Sequence, residues 1–223
     1  MIYHYTSVNA FFNIIKTNKL RLMPSIHTND PYECYWPKVV FEHVCNNNLK
    51  DELSPQQRFN LNQFILLHGG NLSLSPIKYL ACFSKEKDSL ALWNRYGQNA
   101  KGIALCFDDS LFKVKHEIPI AVNGAGTFNL VDMLYDVNIQ SDFVKSFVDT
   151  FKDKTITEDS FEEQLKASSF LYMMYSSFKN NAFSDEKEMR LLYVPCINDI
   201  VSKPFSDVTD SLICPKTAIK FCP

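Results

Sequence analysis

Apolar and polar positions change rhythm several times along the chain, and each change marks an element. Residues 1–6 are β-branched and aromatic and predict a strand. Ser7 follows as a helix N-cap, and Val8, Phe11, Phe12, Ile14 and Ile15 recur at helical spacing until Asn18, a C-terminal stop. Residues 20–23 alternate apolar with basic and end at Pro24, giving a second strand. A loop over 25–37 holds Asn29-Asp30-Pro31-Tyr32-Glu33, a cluster with turn chemistry. The spacing over 38–68 is helical, broken at Asn46–Asn48, with Ser54-Pro55 opening the second piece.

Residues 78–84, KYLACFS, are nearly continuous in apolar side chains and predict a central strand. Asp88 or Ser89 caps a short helix over 90–96, and 102–107, GIALCF, is another buried strand. One or two strands are expected over 113–122 and long helices over 128–153 and 160–180. A strand follows over 189–194, with strand-like pieces over 200–223. Short strands separated by helical blocks predict an α+β fold: a small mixed or antiparallel sheet core with helical insertions. The expected organisation is a single domain over 1–223, with the insertions at about 38–68 and 128–180.

Composition narrows the function classes. The formal net charge of −2 and the lack of a basic stripe argue against tight nonspecific nucleic-acid binding. With only 6 glycines, a phosphate-cradling glycine loop is not expected. Neither GxSxG nor HExxH occurs. The 7 cysteines form no CxxC pair, which predicts reduced thiols, a cytoplasmic protein and no structural metal. No signal peptide and no bilayer-spanning run is read, so no membrane association is expected.

Three groups of residues carry candidate chemistry. In the opening strand, His4 and Thr6 point to one face and Tyr3 and Tyr5 to the other. A strand histidine by itself is most simply one that hydrogen-bonds a neighbour, but the polar pair also suits the border of a cleft. In the SDEKEMR segment, Glu186, Glu188 and Arg190 share a face if the backbone is extended. That segment reads either as a solvated charge run or as a carboxylate oriented by an arginine to stabilise a developing cation. Tyr96 is at a helix end beside Gly97, where an aromatic ring either packs in the core or faces a pocket and stacks on a flat ligand.

Several short signatures then fall in one order: YHYTS at 3–7, NKLRL at 18–22, NDPYE at 29–33, ACFS at 81–84, SLALWNRYG at 89–97, KGIALCF at 101–107 and EKEMRLLY at 186–193. Together they resemble the bacterial domain-of-unknown-function 2971 family over residues 1 to about 195. Met189 stands where that family usually has Trp, and the closing C-terminal strand looks short or missing.

The opening also resembles the ADP-ribosyltransferase-like fold. That resemblance implies an enzyme that uses NAD as substrate, needs no metal, and modifies a macromolecular acceptor, protein or nucleic acid, in phage defence or a toxin system. It implies that His4 and Thr6 hold the adenosine ribose and that Tyr96 stacks on nicotinamide. Glu188 would favour the oxocarbenium-like transition state as nicotinamide leaves, and Glu186 would complete the E-x-E spacing. Tyr5, Ser84 and Arg190 join the cofactor-binding set, with Arg190, Lys19 or Arg21 meeting the phosphates. The rival readings are a non-catalytic nucleotide- or partner-binding module on the same scaffold, and a metal-dependent hydrolase built on Glu186, Glu188 and Asp30. The transferase mapping requires His4, Tyr96 and Glu188 to converge on one cleft; placement of His4 and Glu188 on opposite sides of the sheet would sink it.

Overall fold

Ser7 turns the opening strand into a helix: its side chain accepts the Ala10 N–H, and Asn18 closes the helix in the left-handed region at φ 57°. Asparagine tolerates that conformation better than most residues with a Cβ. These local signals appear in a computed structural model that describes residues 1–24, 35–65, 79–112, 127–155, 161–194 and 219–220. The chain forms two compact units. One comprises Met1–Thr28, Ile77–Met133 and Ala182–Pro223; the other comprises Asn29–Pro76 and Leu134–Asn181.

Among the described residues, the first unit is built on a 7-stranded sheet. Its strands are β1 (Ile2–Thr6), β2 (Met23–Pro24), β3 (Tyr79–Ser84), β4 (Ile103–Phe107), β5 (Thr127–Asp132), β6 (Glu188–Val194) and β7 (Ile219–Lys220). The order is β5-β6-β3-β1-β4-β7, with β2 also paired to β3, and every ladder is antiparallel. The β1–β4 and β3–β6 ladders run the length of their strands, but β1 and β3 share one pair, Tyr3 opposite Ser84. The sheet therefore has a seam between β1 and β3.

Register assigns the faces. Tyr3 is opposite Ser84 and Cys106, and Ser84 is opposite Glu188, so these four share one face, as do Tyr5, Cys82 and Arg190 by alternation. Ile2, Ala81, Phe83, Leu105, Phe107 and Leu191 occupy the other face and form a dry core with Ile14 of α1 (Val8–Thr17). Burial of that apolar area is the main stabilising term of the unit. On the polar side, the Trp93 ring of α4 (Leu90–Arg95) meets Tyr5 edge-on at 4.9 Å.

Residues 128–132 correct the expected helix over 128–153. Phe128 and Leu130 alternate with Asn129 and Val131, and the period of two prevails as β5 pairs with β6. The helix begins only at Val137, where Asp136 caps the Asn138 N–H. The expected strands over 113–122 and the NDPYE loop lie outside the described residues.

The second unit is helical: α2 (Trp36–His43), α3 (Pro55–Phe64), α5 (Val137–Phe151) and α6 (Phe161–Ser177). A π-helical turn over Val44–Asn48 extends α2 through the asparagine run. Ser54 and Gln57 form a reciprocal capping box at the start of α3, with Pro55 at the first helical position. Phe41, Phe64, Phe147, Phe151 and Phe178 fill the core. Gln140 is fully buried and satisfied on both ends: its amide donates to the Leu134 and Lys179 carbonyls and accepts the Trp36 indole N–H at 3.1 Å.

Candidate functional site

The polar residues singled out by the sequence gather in the first unit, but in separate arrangements on β1, β3 and β6. His4 sits at the seam. Its Nδ1 lies 2.8 Å from the Cys82 carbonyl oxygen. A carbonyl only accepts, so Nδ1 carries the proton and Nε2 of the neutral ring is the acceptor. Burial lowers the pKa of His4 and the Cys82 hydrogen bond opposes that shift, so the neutral ring is favoured. The main-chain carbonyl occupied by His4 belongs to a stretch of β3 that has no ladder pair with β1.

Glu188 and Arg190 form the second arrangement. They are two residues apart on β6 and emerge on one face. Arg190 Nε donates to Glu188 Oε1 at 2.7 Å, and Nη2 donates to Oε2 at 2.9 Å. The side chains are only 6% and 5% exposed, so this is a buried, two-pronged ion pair.

The third arrangement surrounds Glu186. This residue is outside β6, in the 3-10 turn Asn181–Glu186. Lys187, at φ 40°, kinks the backbone between the turn and the strand. Glu186 therefore does not share the alternation of Glu188 and Arg190, which corrects the expectation of three residues on one extended face. Its buried Oε1 accepts the Tyr96 hydroxyl at 2.9 Å and Arg95 Nη1 at 3.1 Å. Ser84 donates its hydroxyl to the Glu186 carbonyl at 2.7 Å and accepts the Glu86 N–H at 3.0 Å. Lys187 also pairs with Glu86, so the turn is fastened to the segment after β3 from both sides.

The sequence-derived site thus divides. Ser84 is beside Glu188, and Tyr96 is joined to Glu186. Tyr5 faces the same side as Glu188, but its hydroxyl is committed to the Glu86 carbonyl and the Ser89 N–H. His4 and Thr6 alternate to the opposite face, so the expectation that the His4 face looks across a cleft at Glu188 is corrected. The physical reason is parity: Tyr3, and not His4, is the residue in register with Ser84 and Glu188.

Sequence reasoning missed Arg95 and Asp185, which extend the Glu186 cluster through a 3.4 Å contact. The signal lay in the SLALWNRYG motif itself, where Arg95 precedes Tyr96. Asp30 lies outside the described residues. Among the described residues no group of three or more His, Cys, Asp or Glu side chains could hold a metal, and no helix is long and apolar enough to cross a membrane. Cys45, Cys82 and Cys106 form no disulfide, and burial pushes the Cys45 thiol up to about 11, a poor setting for a nucleophile.

No curated protein and no solved structure matches the chain. Residues 92–191, which run from α4 into β6 and include Tyr96, Glu186, Glu188 and Arg190, match the model described as "Protein of unknown function (DUF2971)", so over this stretch the chain is similar to the DUF2971 family.

Proposed function

We propose that this protein is a nucleotide-binding module on an ADP-ribosyltransferase-like scaffold, taking NAD or a molecule that shares its adenosine ribose at the seam between β1 and β3. The observation that carries this reading is the 2.8 Å bond from His4 Nδ1 to the Cys82 carbonyl. It sets the tautomer and orients Nε2 as a lone-pair acceptor, which suits a sugar hydroxyl and not a phosphate. His4 shares its face with Ile2 and Leu105 of the dry core and its ring packs 5.7 Å from that of Phe83, which holds the ring still, so little side-chain entropy is lost on binding.

Titration of histidine-labelled protein with NAD tests the reading. The His4 ring resonances are expected to shift, and His4→Ala to weaken binding about tenfold, the worth of one well-placed hydrogen bond. Unchanged His4 signals at saturating NAD and adenosine would overturn it.

A second reading, NAD-dependent ADP-ribosylation of a macromolecular acceptor, draws support from one relationship. Glu188 is directly opposite Ser84, which is directly opposite Tyr3, the neighbour of His4. The candidate residues thus occupy three adjacent strands at one level. Against it stand the opposite-face parity, which removes the shared cleft that the mapping of His4 and Glu188 requires, and the occupied Glu188 carboxylate. Nicotinamide release from NAD in the presence of cell lysate separates the two: binding without release leaves the module reading.

A further inference from the structure

Residues 1–29 contain no Asp or Glu, and their exposed surface carries Lys16, Lys19 and Arg21. Among the described residues no carboxylate pairs with any of the three. Other exposed lysines are paired: Lys38 with Glu42, Lys85 with Asp132 and Lys145 with Asp142. In a chain of net charge −2 this is a local excess of positive charge. The helix dipole accounts for Lys16 in the last turn of α1, but Lys19 and Arg21 stand beyond the helix end.

Apolar side chains share that surface. α1 buries Ile14 and packs Phe11 against the core, while Phe12 is 62% and Ile15 43% exposed. The two are three positions apart, so they adjoin on one helix face, and Lys16 lies four positions after Phe12 on the same face. Past the Asn18 cap the chain alternates: Leu20 and Leu22 are buried in the core, and Lys19, Arg21 and Met23 are exposed. The buried leucines fix the backbone that presents the cations, so little ordering is left for a partner to impose. Scattered exposed apolar residues are ordinary, but an apolar pair beside unpaired cations marks an interaction surface.

Charge identifies the occupant. It must be anionic, and it must offer apolar side chains to Phe12 and Ile15. A membrane surface fits poorly, because an interfacial helix lays a continuous apolar face into the lipid, whereas the exposed arc of α1 also carries Asn9, Asn13 and Thr17. The apolar pair precedes most of the cations along the chain, an order that a short extended peptide can match. We propose that the outer face of α1 and the segment 19–23 after it are a docking surface for a protein partner that presents an acidic segment with apolar side chains at one end. The surface stands independently of nucleotide binding at His4.

Fluorescence anisotropy tests this with a labelled peptide of two leucines followed by four glutamates. In two control peptides glutamine replaces the glutamates or serine the leucines. Full-length protein is expected to bind the first peptide saturably, with affinity falling as salt rises, and to bind both controls about tenfold more weakly. Lys16→Glu with Lys19→Glu, and Phe12→Ser with Ile15→Ser, are each expected to lower the affinity about tenfold. The altered side chains are exposed, so each variant should melt close to the parent. If the apolar variant does not fold, the serine control peptide reads the same contribution from the partner's side. Absence of saturable binding, equal binding of the glutamine control, or unchanged affinity in the charge-reversed variant overturns the proposal. So does binding to phosphatidylserine vesicles that needs Phe12 and Lys16 while the peptide stays unbound.

Discussion

Ser84 stands directly opposite Glu188 across the β3–β6 ladder, yet its hydroxyl serves the Glu186 carbonyl and the Glu86 N–H. The residue therefore acts as a clasp between the end of β3 and the turn before β6. Ser84→Ala removes one donor and one acceptor in a buried place and is expected to cost about 1–3 kcal/mol. Urea unfolding measures this directly. A drop in nucleotide affinity with unchanged stability would instead make Ser84 a ligand contact.

Titration of His4 gives a pH dependence of known sign. Its pKa is lowered in the folded protein, so the folded state binds fewer protons than the unfolded state between the lowered value and the ordinary ~6.5. The stabilisation is complete above ~6.5 and is lost as the pH falls toward the folded pKa. His4→Asn keeps a donor for the Cys82 carbonyl and removes the titration. Stability of the parent should fall relative to this variant on acidification below ~6.5; parallel pH profiles in chemical denaturation would contradict the assignment.

The buried ion pair should show strong non-additivity. Glu188→Ala leaves the Arg190 charge buried beside an apolar gap and is expected to cost about 3–5 kcal/mol. The double replacement Glu188→Leu with Arg190→Met removes both charges and should cost clearly less than the sum of the single changes. A double-mutant cycle by guanidinium unfolding reads the coupling, and additive costs would show that the two side chains act separately.

In the helical unit, Gln140 joins Trp36 to the Leu134 and Lys179 carbonyls. Gln140→Leu keeps the approximate shape but removes the acceptor of the Trp36 indole N–H and a donor to the Lys179 carbonyl, while the Leu134 carbonyl keeps the Lys179 N–H at 3.1 Å. A loss of roughly 2–4 kcal/mol is expected, since each orphaned buried group is costly. The chain has 2 tryptophans, Trp36 in this unit and Trp93 in the other. Trp93→Phe therefore leaves a fluorescence probe of the helical unit alone, in which the effect should appear.

Much of the strand set was legible because each strand carries its own signal. The apolar run YLACFS and the GIALCF run gave β3 and β4 within a residue of their observed bounds, and Ser7 and Ser89 marked helix starts by chemistry that acts within one turn. Over residues 128–132 the period of two is short and the later Phe143, Phe147 and Phe151 spacing dominates the window, so local spacing favours a helix where the sheet imposes a strand. The site was harder to read. Alternation correctly separated His4 from Tyr3, but whether His4 or Tyr3 comes into register with Glu188 depends on pairing across three strands, which no local spacing encodes. The kink at Lys187 that takes Glu186 out of the strand pattern is likewise a tertiary effect, imposed by the Tyr96, Arg95 and Glu86 contacts.

The sheet order also has a consequence during synthesis. β3 ends at Ser84, and the strand that pairs along its length does not begin until Glu188. A growing chain must therefore carry the apolar β3 edge without its β6 partner while the intervening hundred or so residues are made. An unpaired apolar edge is a template for wrong partners. Nascent chains arrested before residue 188 should accordingly depend on chaperones far more than chains released after 194.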